Sequence, residues 1–149
     1  MKRFLILIVV LISISGCKKA EKTDYLIFGK FYGFCVSDCI TLYKVTNKNL
    51  YLEKPSDYLE NEIYKGNFSN KINNKLSIAK PLLDMVPTKL LDEELFIGCP
   101  DCADQGGYFI QYEKDGEEYY FKIDTFKDNV PDYLHDFLNE VDAVMADLE

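Results

Sequence analysis

A chain of 149 residues with 25 acids against 17 bases carries a formal charge of −8 and a pI near 4.7, enough length for a single domain with its own core. The acidity argues against a nucleic-acid partner, because phosphate recognition needs clustered cations. The only arginine is Arg3, so the body lacks the bidentate fork that usually clamps phosphoryl groups.

The chain opens MKRFLILIVVLISISGCKKAEKTD. Lys2 and Arg3 make a short positive region, Phe4 to Ile14 is apolar, and Ser15 and Gly16 are small. These are the three parts of an export signal. The apolar run is about half the ~20 residues a helix needs to span hydrocarbon, so a permanent transmembrane helix is not expected. The stretch ISGC, Ile14 to Cys17, resembles the lipobox of bacterial envelope lipoproteins. That resemblance implies acylation of Cys17, with residues 1–16 removed as signal peptide, residues 17–24 left as a polar tether and residues 25–149 forming one domain. It implies a protein of the bacterial cell envelope, facing the periplasm or the cell surface. Loss of Lys2 and Arg3 takes the formal charge from −8 to −10. Such acidity opposes adsorption to anionic lipid, so the acyl chains must do the holding.

Next, Leu26 to Phe34 is aromatic-rich with Gly29 and Gly33 inside it, which predicts a strand with a bulge or a close backbone approach. Cys39 to Val45 alternates and is β-branched, TNKN (46–49) is turn chemistry and LYLEK follows, a hairpin pattern. Glu62 to Phe68 is expected to add a fourth strand. The sequon Asn67-Phe68-Ser69 beside a bacterial lipobox is read as coincidence. From Asn73 the period changes. Leu76, Ala79, Leu83 and Val86 form a helical stripe interrupted by Pro81, and Thr88 is expected to cap a second short helix.

Four cysteines remain after Cys17: Cys35 and Cys39 in CVSDC, Cys99 and Cys102 in CPDC. An even number in an exported chain reads as a disulfide framework. Three connectivities are possible; the local pairing has a slight advantage because each pair sits in a short irregular segment, but sequence does not choose. CPDC also resembles the thioredoxin-type redox motif, which implies a helix opening at the cysteines. Here ADQGGYFIQY follows, a glycine turn and a strand, so the field that would activate the first thiol is not expected. A four-cysteine zinc site has tolerable spacing, yet an oxidising compartment favours bridges over thiolates. Asp101 and Asp104 are read as turn caps, since the interleaved acids of a calcium loop are missing. No metal or cofactor is expected.

The clearest element is GYFIQYEKDGEEYYFKID. Asp115-Gly116 suits a type I′ turn, which sets the register: Lys114 faces Glu117, Tyr112 faces Tyr119, Ile110 faces Phe121 and Tyr108 faces Ile123. The opposite face carries Phe109, Gln111, Tyr120 and Lys122. In the last segment Asn129 is expected to cap and Pro131 to occupy the first turn of a helix. Its apolar stripe is Val130, Leu134, Phe137, Leu138, Val141, Val144, Met145 and Leu148. His135, the only histidine, falls on the polar side and is read as a solvated residue.

Together these elements predict an α+β fold, an antiparallel sheet of hairpins with a helical middle segment and a C-terminal amphipathic helix packed on one face. The body, with CPDCADQGG before a hairpin, resembles small envelope lipoproteins; that likeness implies a location and a fold, and no activity. No nucleophile elbow, His-based triad or nucleotide-binding glycine pattern is present, and no particular carboxylate pair stands out. The expected role is therefore a non-enzymatic binding or structural module with an envelope protein partner, and Phe109 and Tyr120 are the candidate contact surface. The alternative is a thiol–disulfide or zinc protein using the two cysteine pairs.

Overall fold

The computed structural model describes residues 25–149, so Cys17 and the expected signal and tether lie outside the described residues. The domain is α+β. Seven strands form one sheet: β1 (Tyr25–Phe31), β2 (Ile40–Thr46), β3 (Leu50–Glu53), β4 (Asn70–Lys71), β5 (Phe96–Ile97), β6 (Gly107–Lys114) and β7 (Glu117–Asp124). Their spatial order is β4-β3-β2-β1-β6-β7-β5. All neighbours are antiparallel except β5, which runs parallel to β7.

The β6–β7 hairpin has the register its turn predicts, with Lys114 opposite Glu117, Tyr112 opposite Tyr119, Ile110 opposite Phe121 and Tyr108 opposite Ile123. Asp115 and Gly116 both take positive φ, 53° and 88°, as a type I′ turn requires. Strand β1 lies at the centre, between β2 and β6. At Gly29 a side chain would run into the Thr41 carbonyl oxygen of β2, so the close backbone approach expected at this glycine is present. The strand ends at Phe31 because the chain turns back there, with the Tyr32 amide donating to the Cys39 carbonyl at 2.9 Å.

One face of the sheet is covered by helices. A short helix α1 (Leu76–Ala79), flanked by 3-10 turns, is followed by a 3-10 turn at Thr88–Asp92. Pro81 falls in the turn after α1, where its missing N–H does no harm. Thr88 does not cap: it is the first residue of its turn, and Pro87 stands at the cap position. The long helix α2 (His135–Leu148) closes this face, and all eight residues of the predicted stripe are buried against Leu26, Phe28, Tyr108, Ile110 and Tyr112. Burying each such side chain contributes ~1.5–3 kcal/mol, which makes this layer the main source of stability.

Three expectations about this region need correction. Asn129 does not cap α2; its side chain donates to Asp124 at 2.8 Å. A 3-10 turn at Asp132–Leu134 precedes the helix, with Pro131 at the cap position before that turn. The polar side of α2 is not simply solvated. Asp142 accepts from the Tyr108 hydroxyl at 2.8 Å and pairs with Lys30 at 2.8 Å. His135 Nε2 lies 3.0 Å from the Val130 carbonyl and 3.1 Å from that of Lys127. Two carbonyl acceptors require the Nε2–H form, so the ring closes the turn ahead of its own helix.

The second face is covered as well, by residues 54–69, which cross it without forming a strand. The fourth strand expected at Glu62–Phe68 is absent because its backbone groups bond to side chains. The Tyr64 amide donates to Gln111 Oε1 at 2.7 Å and its carbonyl accepts from Gln111 Nε2 at 3.1 Å. The Asn67 and Phe68 amides donate to the Glu53 carboxylate at 3.0 and 2.8 Å. Leu59 is buried in a second core with Tyr25, Ile27, Phe31, Ile40, Leu42 and Phe109. Lys122, nearly buried, reaches out of β7 to hold this strap. Its ammonium donates to the Leu59 carbonyl at 2.6 Å and to Asn61 Oδ1 at 2.9 Å, and burial pushes its pKa down.

Candidate functional site

Strand β1 runs from Tyr25, the first described residue, to Phe31, ~20 Å at the rise of an extended chain. Phe31 pairs with Ile40, the first residue of β2, and with Gly107, the first of β6. Gly107 in turn pairs with Asp124, the last residue of β7. The loops 32–39, 98–106 and 125–134 therefore leave the sheet at the end away from Tyr25. The tight turns at 46–49 and 115–116 lie at the Tyr25 end.

Both cysteine pairs sit at this far end, and both are disulfides: Cys35 with Cys39, Cys99 with Cys102. Of the three connectivities the local one is formed. Disulfides persist in oxidising compartments, so these bridges point to an extracytoplasmic location. Loops this short each gain about 2 kcal/mol in the chain-entropy picture. The four sulfurs are used in bridges, which leaves no thiolate pair for a zinc knuckle. After Cys102 the chain passes through Asp104 and Gly106, at φ 58° and 73°, straight into β6. No helix opens at the motif, so the field that depresses a thioredoxin-type thiol is missing. Asp101, at φ 62°, closes the loop on itself. Its amide donates to the Gly106 carbonyl, and its Oδ1 accepts from the Gly106 amide, each at 2.9 Å. The turn-capping role expected of Asp101 is what the geometry provides.

The organiser of this loop is Asp124, which sequence reasoning passed over. It is 1 % exposed, and among the described residues no cation pairs with it. Its carboxylate accepts from the Cys99 amide at 2.9 Å, the Phe126 amide at 2.9 Å, Asn129 Nδ2 at 2.8 Å and Gln105 Nε2 at 3.3 Å. Desolvation pushes its pKa up, but the bonds from Phe126, Asn129, Cys99 and Gln105 outweigh it, and the group is held below the usual carboxylate value. Beside it Gly98 takes φ 73°, and a side chain there would press on the Asp124 Cβ. An acid at the end of β7 that reaches back to the Cys99–Cys102 loop through the Cys99 amide is a signal visible only once the strand's last rung is known.

Phe109 and Tyr120, the expected contact surface, are not one. Phe109 is wholly buried, with Tyr64 edge-on to it and Tyr120 tilted against it; Tyr120 is partly buried in the same cluster. An antiparallel sheet commonly leaves one face to solvent, and here the strap takes that place. The exposed aromatics are elsewhere. In the loop after β1, Tyr32 is 41 %, Phe34 85 % and Val36 104 % exposed, and Tyr58 of the strap is 67 % exposed. Tyr32, Val36 and Tyr58 line a cleft of about 500 Å³ between the Cys35–Cys39 loop and residues 54–59. Full burial of a side chain such as Phe34 or Val36 would contribute ~1.5–3 kcal/mol to the fold, and the fold forgoes it. The two disulfide loops adjoin here. A side chain at Gly33 would meet both the Asp101 carboxylate and the Tyr58 hydroxyl.

Among the described residues no group of three or more His, Cys, Asp or Glu is placed to hold a metal ion, and no helix is long and apolar enough to cross a membrane. No protein-family model matches the chain, and no curated protein matches it. The fold and this disulfide-closed end are therefore the ground on which a functional reading stands.

Proposed function

We propose that the chain is a lipid-anchored extracytoplasmic protein of the bacterial envelope. It acts as a non-enzymatic binding module, held to the membrane through acylated Cys17, and it presents the disulfide end of its sheet to a partner. One observation carries this reading: Phe34 and Val36 stand exposed on a loop pinned by the Cys35–Cys39 bridge. A bridge that fixes a loop lowers the ordering cost of binding. An aromatic and an aliphatic side chain held out to solvent beside a bridge suit recognition better than turnover. The order of parts agrees with this role, since the tether enters at Tyr25 and the loop leaves from the other end of the same strand.

The test is metabolic labelling with a palmitate analogue, followed by membrane fractionation. Wild-type protein is expected to take up label and partition with membranes. Cys17→Ser is expected to lose the label and keep the larger unprocessed mass. Equal labelling of the two proteins, or wild-type protein in the soluble fraction at its full unprocessed length, would refute the anchor.

A further inference from the structure

The exposed apolar side chains at the disulfide end do not stand alone. Acids stand at the cleft that Tyr32, Val36 and Tyr58 line. Asp38 and Asp57 line the cleft, and the Asp101 carboxylate lies beside Gly33 and the Tyr58 hydroxyl. One lysine, Lys54, also lines the cleft, and it is matched by Asp38 at 3.6 Å. Among the described residues no cation lies within ion-pair distance of Asp57 or Asp101. The rim of the cleft is therefore net negative, on a chain whose formal charge is already −8.

That combination discriminates between occupants. A second copy would set two negative rims against each other, and like charges across an interface are repulsive. A bilayer is disfavoured twice: the acids oppose anionic headgroups, and β1 carries the loop away from the residue where the tether enters. A sugar would stack on Tyr32 or Tyr58 but has no use for Val36, a fully exposed aliphatic side chain at the loop tip. A protein surface with an apolar socket and a cationic rim satisfies every feature at once. The socket receives Phe34 and Val36, and the rim meets Asp57 and Asp101.

We infer that the disulfide end docks a cationic partner protein, with Phe34 and Val36 as the anchors and Asp57 and Asp101 as the charges that steer and select. This rests on the binding-module reading above and adds the class of partner to it. The bridge closes the loop that carries Val36 and adjoins Phe34, and the acids give the encounter a salt dependence that an apolar contact alone would lack.

The experiment uses the acylated mature chain, residues 17–149, in phosphatidylcholine nanodiscs, panned against a random twelve-residue peptide display library, with empty nanodiscs for counter-selection. Selected peptides are expected to be rich in Lys or Arg around one or two apolar residues. Their affinity for the wild-type chain is expected to fall at least tenfold between 50 and 300 mM salt. Phe34→Ser with Val36→Ser should abolish the selection, Asp57→Asn with Asp101→Asn should lower affinity about tenfold and flatten the salt dependence, and Phe96→Ser should change nothing. Phe96 is 46 % exposed on the edge strand β5 and serves as the apolar control. Unchanged thermal unfolding of each variant verifies folding. Asp57→Asn alone, which leaves the Asp101 loop bonds intact, repeats the charge test if the double variant unfolds.

Selection of acidic or uncharged peptides, selection that survives the Phe34/Val36 pair, or no selection at all would overturn the proposal. So would loop-dependent binding on an oligosaccharide array, or a dimer in sedimentation that the same pair dissolves. Palmitate labelling of Cys17 reports on the anchor independently, so each claim can fail without the other.

Discussion

Asp124→Asn is the perturbation that most sharply probes how the disulfide end is built. The carboxylate accepts four hydrogen bonds in a site that water does not reach. Asparagine keeps the shape but offers one oxygen and one NH₂. The Asn129 amide can turn to present an oxygen to that NH₂, whereas Gln105 is held in place by the Ala103 amide and the Cys99 carbonyl. The backbone N–H groups of Cys99 and Phe126 cannot, and they approach different carboxylate oxygens. One of them must lose its acceptor, at ~1–3 kcal/mol, and the remaining bonds fall from charge-assisted to neutral strength, so the total is ~3 kcal/mol. Urea unfolding at pH 7 measures it. The pH dependence gives a second reading. A carboxylate held below its ordinary pKa of 3.8 contributes stability that is complete above the unfolded value and is lost as pH falls through the folded one. The gap between wild type and variant is therefore expected to be full at pH 6 and to narrow steadily below about pH 4. A loss under ~0.5 kcal/mol, or a gap that stays constant down to acid unfolding, would refute the hub assigned to Asp124.

Phe109→Ala should cost ~3–5 kcal/mol in chemical denaturation, as a core truncation does, and Tyr120→Ala about 1–2 kcal/mol; near-zero values for both would restore them as a free surface. Lys122→Met keeps the aliphatic stem but removes the donor to Leu59 and Asn61. It should speed amide exchange around residues 59–64 at least tenfold, since the strap opens locally before the sheet does; unchanged exchange would mean that apolar packing alone holds the strap. Paired replacement of Cys35 and Cys39 by serine should lower stability by about 2 kcal/mol and Tm by roughly 7 °C in a domain of this size. A scanning-calorimetry shift under about 2 °C would show that the loop is pinned by other means.

Local chemistry made much of the fold legible. The β6–β7 register follows from Asp115-Gly116 and the period of two, and the α2 stripe follows from the period of 3.6, so both could be read rung by rung. What stayed hidden depends on contacts distant in sequence. Residues 54–69 have turn-like composition and cover the second face through Leu59, Tyr64 and bonds to Gln111, Glu53 and Lys122. Neither the strap's role nor the burial of Phe109 follows from either segment alone. Asn129 carries a good capping side chain, but Asp124 outcompetes the helix for it. At the candidate site the four cysteines were visible, while their pairing was not. The acid that organises the second loop and the apolar residues that crown the first became visible only when the end of the sheet was assembled.

The central claim is an exported domain whose far end is shaped by two local bridges, and non-reducing tryptic mapping of alkylated protein taken from cells tests it most directly. No lysine lies between Cys35 and Cys39 or between Cys99 and Cys102, so each pair stays within one peptide. The account predicts that peptides 31–44 and 90–114 appear separately, each two hydrogens lighter than its dithiol form and free of alkylation, with Cys17 on an acylated N-terminal fragment. Recovery of the two peptides joined to each other, or of four alkylated cysteines, would contradict it.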